Sequence, residues 1–453
     1  MSASRCIGDT FIESHSFTGF TPYMHVLLKA LGCRLNEAEL ENWSSSFQDR
    51  GHCIVDQPDQ ADLIVINTCA VTNEAVKKSR QLIRRSHRQN PNTKLVVSGC
   101  YSSLTPEIKN KIPSIDLLVP NQHKDNLVNI VINELAIETM PSIATQPGET
   151  ALFQHNRTRA FVKIQDGCRY RCTFCIVTIA RGNERSKLIS DIVLQINKLA
   201  DLRFKEVVLT GVHIGGYGAD INTDLYSLIA SVLTETDIPR LRLGSLESWG
   251  LPELFFDLFS NPRLMPHLHL PLQSGCDSVL KRMARRCRLE DFKETVQKAR
   301  SMISDFNITT DAIVGFPGES DTEWQESMVF LENMGFSHIH IFPYSPRSGT
   351  AAAMMQNQIT TQVKKNRSKQ LRMLADKLKR AYLENHVSRE FPVLFEGSHQ
   401  CNETGNIKYS GYTPNFLRVQ LDSRVKLTIE NKIRNIATLA ISHDGSSLQA
   451  SLL

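Results

Sequence analysis

Between Tyr23 and Leu135 short apolar runs alternate with longer segments of helical period. HVLLKA precedes NEAELENWSSSFQDRG, LIVINT precedes NEAVKKSRQLIRRSHRQ, KLVVSG precedes LTPEIKNKI, and DLLV follows. Strands separated by helices of this length predict βαβ units and a parallel sheet. From Arg159 to about Glu384 a second series begins, with AFVKI, EVVLT, LRLGS, HLHL, NITTDAIVG and HIHIF each followed by a helical segment. Six such units predict a partial (β/α)6 barrel, with functional groups at the carboxyl ends of its strands. The segment Thr360 to His386 reads as one long helix, basic on one face and carrying Leu371, Leu374 and Leu378 on the other. Beyond Arg389 the pattern shortens to FPVLF, FLRVQL, VKLTI and IATLAI, which predicts a small antiparallel, OB-like β-barrel.

The expected fold class is therefore α/β, with a boundary wherever the pattern breaks. A polar extension covers 1–21, an N-terminal α/β parallel-sheet domain 22–138, a Pro- and Gly-bearing linker 139–158, the barrel 159–386 and the β module 387–453. A chain of 453 residues needs several cores, which agrees with this division. An apolar content of 41% and a charged content of 22% belong to a soluble globular protein. No apolar run reaches membrane-spanning length, and Met1 to Thr21 lacks the core of a signal peptide, so a cytoplasmic location is expected.

Net charge is only +5, but it is unevenly spread. Lys77, Lys78, Arg80, Arg84, Arg85 and Arg88 fall in one helical segment; Lys364, Lys365, Arg367, Lys369, Arg372, Lys377, Lys379 and Arg380 fall in another. Either run can neutralise phosphates or simply form a solvated face, and each run alone favours the solvated face. Tyr409, Tyr412, Phe416 and Arg418 would suit RNA stacking on the β module, or else its core.

The chemistry begins with cysteine. Cys168, Cys172 and Cys175 stand in a C-x3-C-x2-C spacing just after the first barrel strand. Three thiolates on one loop can hold an iron–sulfur cubane and leave its fourth iron open. A structural zinc site usually needs a second ligand pair, which is missing, and an odd total of 11 cysteines without a secretory signal argues against a disulfide framework. Cys33, Cys69 and Cys100 each follow a predicted strand of the first sheet, the edge where open α/β sheets place ligands, and so form a second candidate cluster site. The alternative is three unrelated buried cysteines. Cys53 at a strand start and Cys6 in the tail read as structural or incidental, Cys276 and Cys287 in or beside a helix lack ligand spacing and read as packing residues, and Cys401 is assigned no role.

Turns at the barrel mouth supply further candidates. Gly211 to Gly218 follow the second strand, and their glycines would admit a ligand close to the backbone. Glu247 follows the third and could accept hydrogen bonds from a ribose; Pro271 to Gly275, Gly315 to Glu319 and Pro343 to Arg347 follow the other three.

The motifs LGCRLNEAE, INTCAVTNEA, VSGCY, KIQDGCRYRCTFCIV, ARGNERS, HLHLPLQSG, DAIVGFPGE and GYTPNFLRV together resemble the radical S-adenosylmethionine methylthiotransferases. The LGCRLN, KIQDGC and GYTPNFLRV forms most resemble the branch acting on tRNA N6-threonylcarbamoyladenosine at position 37. Branches acting on isopentenyl-adenosine in tRNA or on an aspartate of a ribosomal protein fit less well, and a non-catalytic RNA-binding iron–sulfur redox sensor is the reading from another class. The resemblance implies two 4Fe–4S clusters, one on Cys168, Cys172 and Cys175 that binds S-adenosylmethionine, the other on Cys33, Cys69 and Cys100 that handles sulfur. It implies a 5′-deoxyadenosyl radical that takes hydrogen from C2 of the modified adenine, with a second S-adenosylmethionine giving the methyl. Gly211, His213, Gly215, Gly216, Glu247, Gln273 and Arg285 are the expected S-adenosylmethionine contacts. The implied partners of a monomeric, membrane-free enzyme are the tRNA anticodon stem-loop, an electron donor and a sulfur source, with a TRAM-type β module holding RNA. Cys276 and Cys287 depart from the family pattern and take no role from it.

Overall fold

The computed structural model describes residues 24–137, 158–400 and 405–453. The expected polar extension, nearly all of the expected linker, Cys6 and Cys401 lie outside the described residues. Among the described residues no helix is long and apolar enough to cross a membrane.

The first unit runs β1 (His25–Ala30), α1 (Arg34–Gln48), β2 (Cys53–Ile54), β3 (Leu63–Thr68), α2 (Asn73–Gln89), β4 (Lys94–Gly99), α3 (Cys100–Leu104), α4 (Ile108–Lys111), β5 (Leu117–Val119) and α5 (Leu127–Glu134). Its strands pair in parallel in the order β2-β1-β3-β4-β5. The chain leaves β1 to one side and returns on the other, so the topological switch point lies between β1 and β3. All six residues of LIVINT in β3 are buried because both faces of the sheet are covered. Ile64 and Ile66 pack with Leu95, Val97 and Ile83 on one face; Leu63 and Val65 pack with Trp43, Phe47 and Val128 on the other. The single helix expected over LTPEIKNKI is instead two short ones. Thr105 precedes Pro106 and is driven out of the helical region, to φ −137° and ψ 68°.

The second unit holds β6 (Arg159–Lys163), β7 (Gln165–Asp166), α6 (Val177–Arg181), β8 (Arg185–Ser186), α7 (Ile189–Asp201), β9 (Glu206–Thr210), α8 (Leu225–Glu235), β10 (Arg240–Leu243), β11 (His267–His269), α9 (Asp277–Arg282), α10 (Leu289–Met302), β12 (Asn307–Val314), α11 (Asp321–Met334), β13 (His338–Pro343), α12 (Ala351–Met354) and α13 (Thr361–Glu384). Two parallel sheets, β10-β9-β6 and β11-β12-β13, are joined by bridges Leu241↔Leu264 and Ser245↔His269. The six predicted strands thus form one open wall in chain order, and the largest apolar cluster lies between that wall and its helices. The third strand–helix unit departs from expectation, because Phe255–Ser260 is a 3-10 segment and not an α-helix. Asn261, held extended before Pro262, stops it.

The third unit is a closed barrel of β14 (Glu390–Gln400), β15 (Ile407–Tyr412), β16 (Arg418–Ser423), β17 (Lys432–Ile441) and β18 (Leu448–Leu452), in the order β14-β15-β16-β18-β17. VKLTI is not a strand here. The Val425 and Leu427 amides donate to the Ser423 and Tyr409 hydroxyls, while Ile429 enters the core. The aromatics expected to face RNA mostly do not. Tyr409 is 1% exposed in the module's core, and Tyr412 stacks on Phe416 at 4.8 Å. Phe416 lies against His267 and under the Arg242 guanidinium, while Arg240 and Arg242 donate to the carbonyls of Tyr412 and Pro414. Asn307 donates to Asn415 O at 2.7 Å. These contacts reach the first residues of β10, β11 and β12, so the module closes the amino-terminal end of the wall, and of the four expected residues only Arg418 is exposed.

Of the eight cations on helix α13, Lys365, Lys369, Arg372, Lys377 and Arg380 are exposed, Lys364 and Lys379 are half-buried and Arg367 is buried. Arg367 donates to Glu319 and Asp321 at 2.7 Å each, Lys377 pairs with Glu332, and Arg380 pairs with Glu384. On α2, Lys77, Lys78, Arg80, Arg84, Arg85 and Arg88 are all exposed, and Lys78 stands 4.0 Å from Glu74.

Candidate functional site

The loop carrying Cys168, Cys172 and Cys175 leaves β7 through Gly167 at φ +71°, where a Cβ would stand 1.9 Å from Asn183 O, so no other residue fits. Gln165 ties this loop to the glycine-rich turn. Its amide donates to Gly167 O at 2.7 Å, and its Oε1 accepts from the Val212 and His213 amides at 3.0 Å each. Thr178 donates to Tyr170 O, and Thr173 N to Met283 O, which fixes the loop on the opposite wall. Burial pushes the thiols of Cys168 up to about 11 and Cys175 up to about 12. Burial also raises Cys172, against the pull of the Arg285 guanidinium hydrogen-bonded to it.

Arg285 is the pivot of this mouth. It donates to both oxygens of Glu247, at 3.2 and 2.6 Å, and to Pro271 O, and it lies 4.4 Å from the Trp249 ring centroid. The Glu247 carboxylate is thus committed to Arg285 before any ribose arrives. His213 Nδ1 meets Glu184 Oε1 at 3.0 Å, and Tyr170 packs edge-on against both His213 and Trp249. The Nε2 of His213 and Nε1 of Trp249 are buried without a protein partner.

Gly215 belongs with these groups, since its Cβ position lies 3.8 Å from His213 Nε2 and 3.9 Å from Glu247 N. Gly211 and Gly216 serve packing instead. A Cβ on Gly211 would meet Ile214 at 2.8 Å, and one on Gly216 would meet His213 Nδ1 at 2.4 Å. Gln273 stands on the far half of the wall, at φ +80°, with its backbone bridged to Ala312. Glu184, Trp249 and Tyr170 are not singled out by the sequence pattern, although ARGNERS and the cysteine loop contain two of them.

Cys33, Cys69 and Cys100 follow β1, β3 and β4, which are adjacent strands, so all three lie at one edge beside the switch point. Two glycines let those strand ends close up. A Cβ on Gly32 would lie 2.7 Å from Cys69 Sγ, and one on Gly99 would lie 2.2 Å from Thr68 O. Asn36 and Asn121 approach the sulfurs of Cys33 and Cys100 at 3.7 Å each. Burial pushes the Cys69 thiol up to about 11.

Among the described residues, neither cysteine trio has all three of its sulfurs within 4.8 Å of one another. Sulfurs sharing one zinc ion are roughly 3.8 Å apart, given Zn–S bonds near 2.3 Å. Neither trio is gathered as a mononuclear zinc site would be, and three thiolates are the donor set of an iron–sulfur cluster.

A buried polar network joins the two groups. Arg181, at the end of the helix that follows Cys175, donates to Glu39, Asp166 and Asn36 at 2.9, 2.9 and 2.8 Å. Asn121, beside Cys100, donates to Ala180 O at 2.7 Å. Lys124 and Lys163 complete the charge around Glu39. Burial alone would raise the Glu39 carboxyl, but Lys124, Arg181 and Lys163 hold it well below the usual range; against the same effect of burial, Arg181 and Lys163 hold Asp166 at about 2. The sixth barrel turn also faces the second group. Arg347 donates to Val71 O and Asn73 Oδ1, two and four residues past Cys69. Cys276 and Cys287 are buried against Glu326 and Ser248, in the packing role expected of them.

Residues 25–120 match the family described as uncharacterized protein family UPF0004, and residues 162–331 match the radical SAM superfamily. The chain is 36% identical over 409 residues to a protein of Bacillus subtilis (strain 168) named threonylcarbamoyladenosine tRNA methylthiotransferase MtaB, covering 87% of this chain and 89% of that one. A Thermotoga maritima protein of the same name is 35% identical over 379 residues, covering 82% and 86%. A Bacillus subtilis tRNA-2-methylthio-N(6)-dimethylallyladenosine synthase is 30% identical over 406 residues, covering 86% and 80%. Among solved structures, the radical S-adenosylmethionine methyltransferase TsrM from Kitasatospora setae shares the fold at a TM-score of 0.57 and 14% identity, covering 73% of this chain and 77% of that one.

Proposed function

Since the chain belongs to the radical S-adenosylmethionine methylthiotransferase family, whose enzymes use S-adenosylmethionine and 4Fe–4S clusters, we propose that it converts N6-threonylcarbamoyladenosine-37 of tRNA to its 2-methylthio derivative. The observation that carries this reading is the pair of cysteine trios joined through one buried network, beside relatives of 32–36% identity that bear the threonylcarbamoyladenosine name. Relatives named for the dimethylallyl substrate match at 30–32%. When bound, the cofactors supply a 5′-deoxyadenosyl radical at the barrel site and the sulfur at the sheet-edge site.

The chain's own residues hold and orient. Cys168, Cys172 and Cys175 would hold the radical-forming cluster, with Arg285 favouring the thiolate of Cys172. His213, Gly215, Glu247 and Trp249 would line S-adenosylmethionine, its polar groups completing the bare Nε2 and Nε1 atoms. Cys33, Cys69 and Cys100 would hold the second cluster, and the Glu39–Arg181 network fixes its distance from the first. The basic face of α2, which begins four residues after Cys69, would carry the anticodon stem-loop to both.

Mass analysis of tRNA nucleosides from cells lacking the gene tests the reading. The 2-methylthio mark on threonylcarbamoyladenosine should vanish and return on complementation. Its persistence in cells without a paralogue would sink the assignment, and loss of the mark on dimethylallyl-adenosine instead would move the enzyme to the other tRNA branch.

A further inference from the structure

Two histidine-rich motifs, HLHL and HIHIF, are not explained by either cysteine group. They form β11 and β13, on either side of β12. In that parallel register Asp311 pairs directly with His340, and His269 pairs with Thr309, two residues before Asp311. Side chains two apart on a strand share a face, so His269, Asp311 and His340 converge on one side of the wall. One ligand atom from each lies within 4.8 Å of the other two.

We propose that His269, Asp311 and His340 form a third metal centre, a two-histidine, one-carboxylate site for a divalent transition ion of the zinc or ferrous class. Imidazole nitrogen with a single carboxylate selects such ions over calcium or magnesium, which prefer all-oxygen shells. A zinc ion bonded at about 2.0–2.1 Å keeps tetrahedral ligand atoms roughly 3.3 Å apart. His269 Nε2 and Asp311 Oδ1 already stand at 3.2 Å. The other nitrogen of His269 meets Thr309 Oγ1 at 2.9 Å. A ligating histidine characteristically donates its second N–H to such an oxygen, which leaves the Nε2 lone pair facing the carboxylate. A metal ion between that lone pair and the carboxylate satisfies both; in the metal-free centre the Thr309 hydroxyl donates to Nδ1 and the neutral Nε2–H donates to Asp311.

The site is also reachable. His269 and Asp311 are half-buried and His340 is exposed. His340 lines a cavity of about 250 Å³ with Thr309, His338, Lys379, Tyr382 and Arg418, between the wall, α13 and the β module. Three protein ligands, one of them bordering a cavity, match an exchangeable centre and not a closed structural one.

The test uses the full chain with its iron–sulfur clusters assembled, equilibrated with Zn2+ and analysed for zinc and iron together. The wild type should hold one zinc per chain without losing iron, and X-ray absorption at the zinc edge should show a nitrogen and oxygen shell. Asp311→Asn and the double variant His269→Gln/His340→Gln should lose that zinc with iron content and melting temperature unchanged. Thr309→Val should weaken zinc binding about 10- to 100-fold. The proposal is overturned if the wild type holds no more zinc than the double variant, if zinc enters at the expense of iron, or if its shell contains sulfur.

Discussion

The two cysteine groups reach similar ends by opposite routes. Cys168, Cys172 and Cys175 lie on one loop, and their spacing is fixed by the local chain: Gly167, the Gln165 amide and the Thr178–Tyr170 hydrogen bond. Cys33, Cys69 and Cys100 come from three strand ends, and they meet only because β1, β3 and β4 are neighbours in a sheet whose order is not the chain's order. The first group should therefore survive damage to the rest of the molecule better than the second. The second depends on the sheet, on the tight glycines at its edge, and on the buried charges that press it against the barrel.

The largest effect expected is a clean separation of the two by substitution. Anaerobic reconstitution should give about eight irons per chain for the wild type and about four for either Cys168→Ala or Cys69→Ala. Reductive cleavage of S-adenosylmethionine should disappear in Cys168→Ala and persist in Cys69→Ala. Equal loss of iron and cleavage in both variants would show that the groups are not independent.

A smaller effect is expected at the joint between them. Glu39→Gln takes the paired carboxylate from buried Lys124 and leaves Lys163 and Arg181 with Asp166 as their buried partner, and removing one partner from a buried ion network costs about 3–5 kcal/mol. The variant should melt earlier and lose the sheet-edge cluster before the barrel cluster, as iron content after mild heating would show. The same carboxylate sets an acid limit. Its folded pKa lies below the ordinary 4.5, so the unfolded state binds the extra proton, and the stabilisation is complete above pH 4.5 and lost as pH falls below it. Trp43 donates to Lys124 O, so its fluorescence should report that acid transition in the wild type and a flattened one in Glu39→Gln.

The smallest effect concerns the two basic helices. Arg84→Ala or Arg85→Ala on α2 should reduce the salt dependence of tRNA binding by about 0.7–0.9 in log–log slope for each phosphate left without its cation. Lys377→Ala and Arg380→Ala should change it little, because those cations already face Glu332 and Glu384.

Much of this molecule is readable from its sequence. The strand runs of both α/β units, the long helix before the β module and both cysteine trios lie where periodicity and strand-end placement put them. The failures share a cause. VKLTI has a strand's composition but is held off the sheet by Ser423 and Tyr409 hydroxyls, and LTPEIKNKI has a helix's composition but is broken at Pro106. Phe416 and Arg367 look like surface binding groups, yet one closes the end of the barrel wall and the other is paired with Glu319 and Asp321.

The sequence by itself determined the elements and the local loop of Cys168 to Cys175, because hydrophobic period, glycine and short cysteine spacing act over a few residues. Only the tertiary structure decided which charges are free and which are buried. It alone brought Glu39, Asp166 and Arg181 together between the two cysteine sites, and His269, Asp311 and His340 onto one face of the wall. Those groupings depend on strand order, register and the packing of one unit on another, and no local pattern in the chain encodes them.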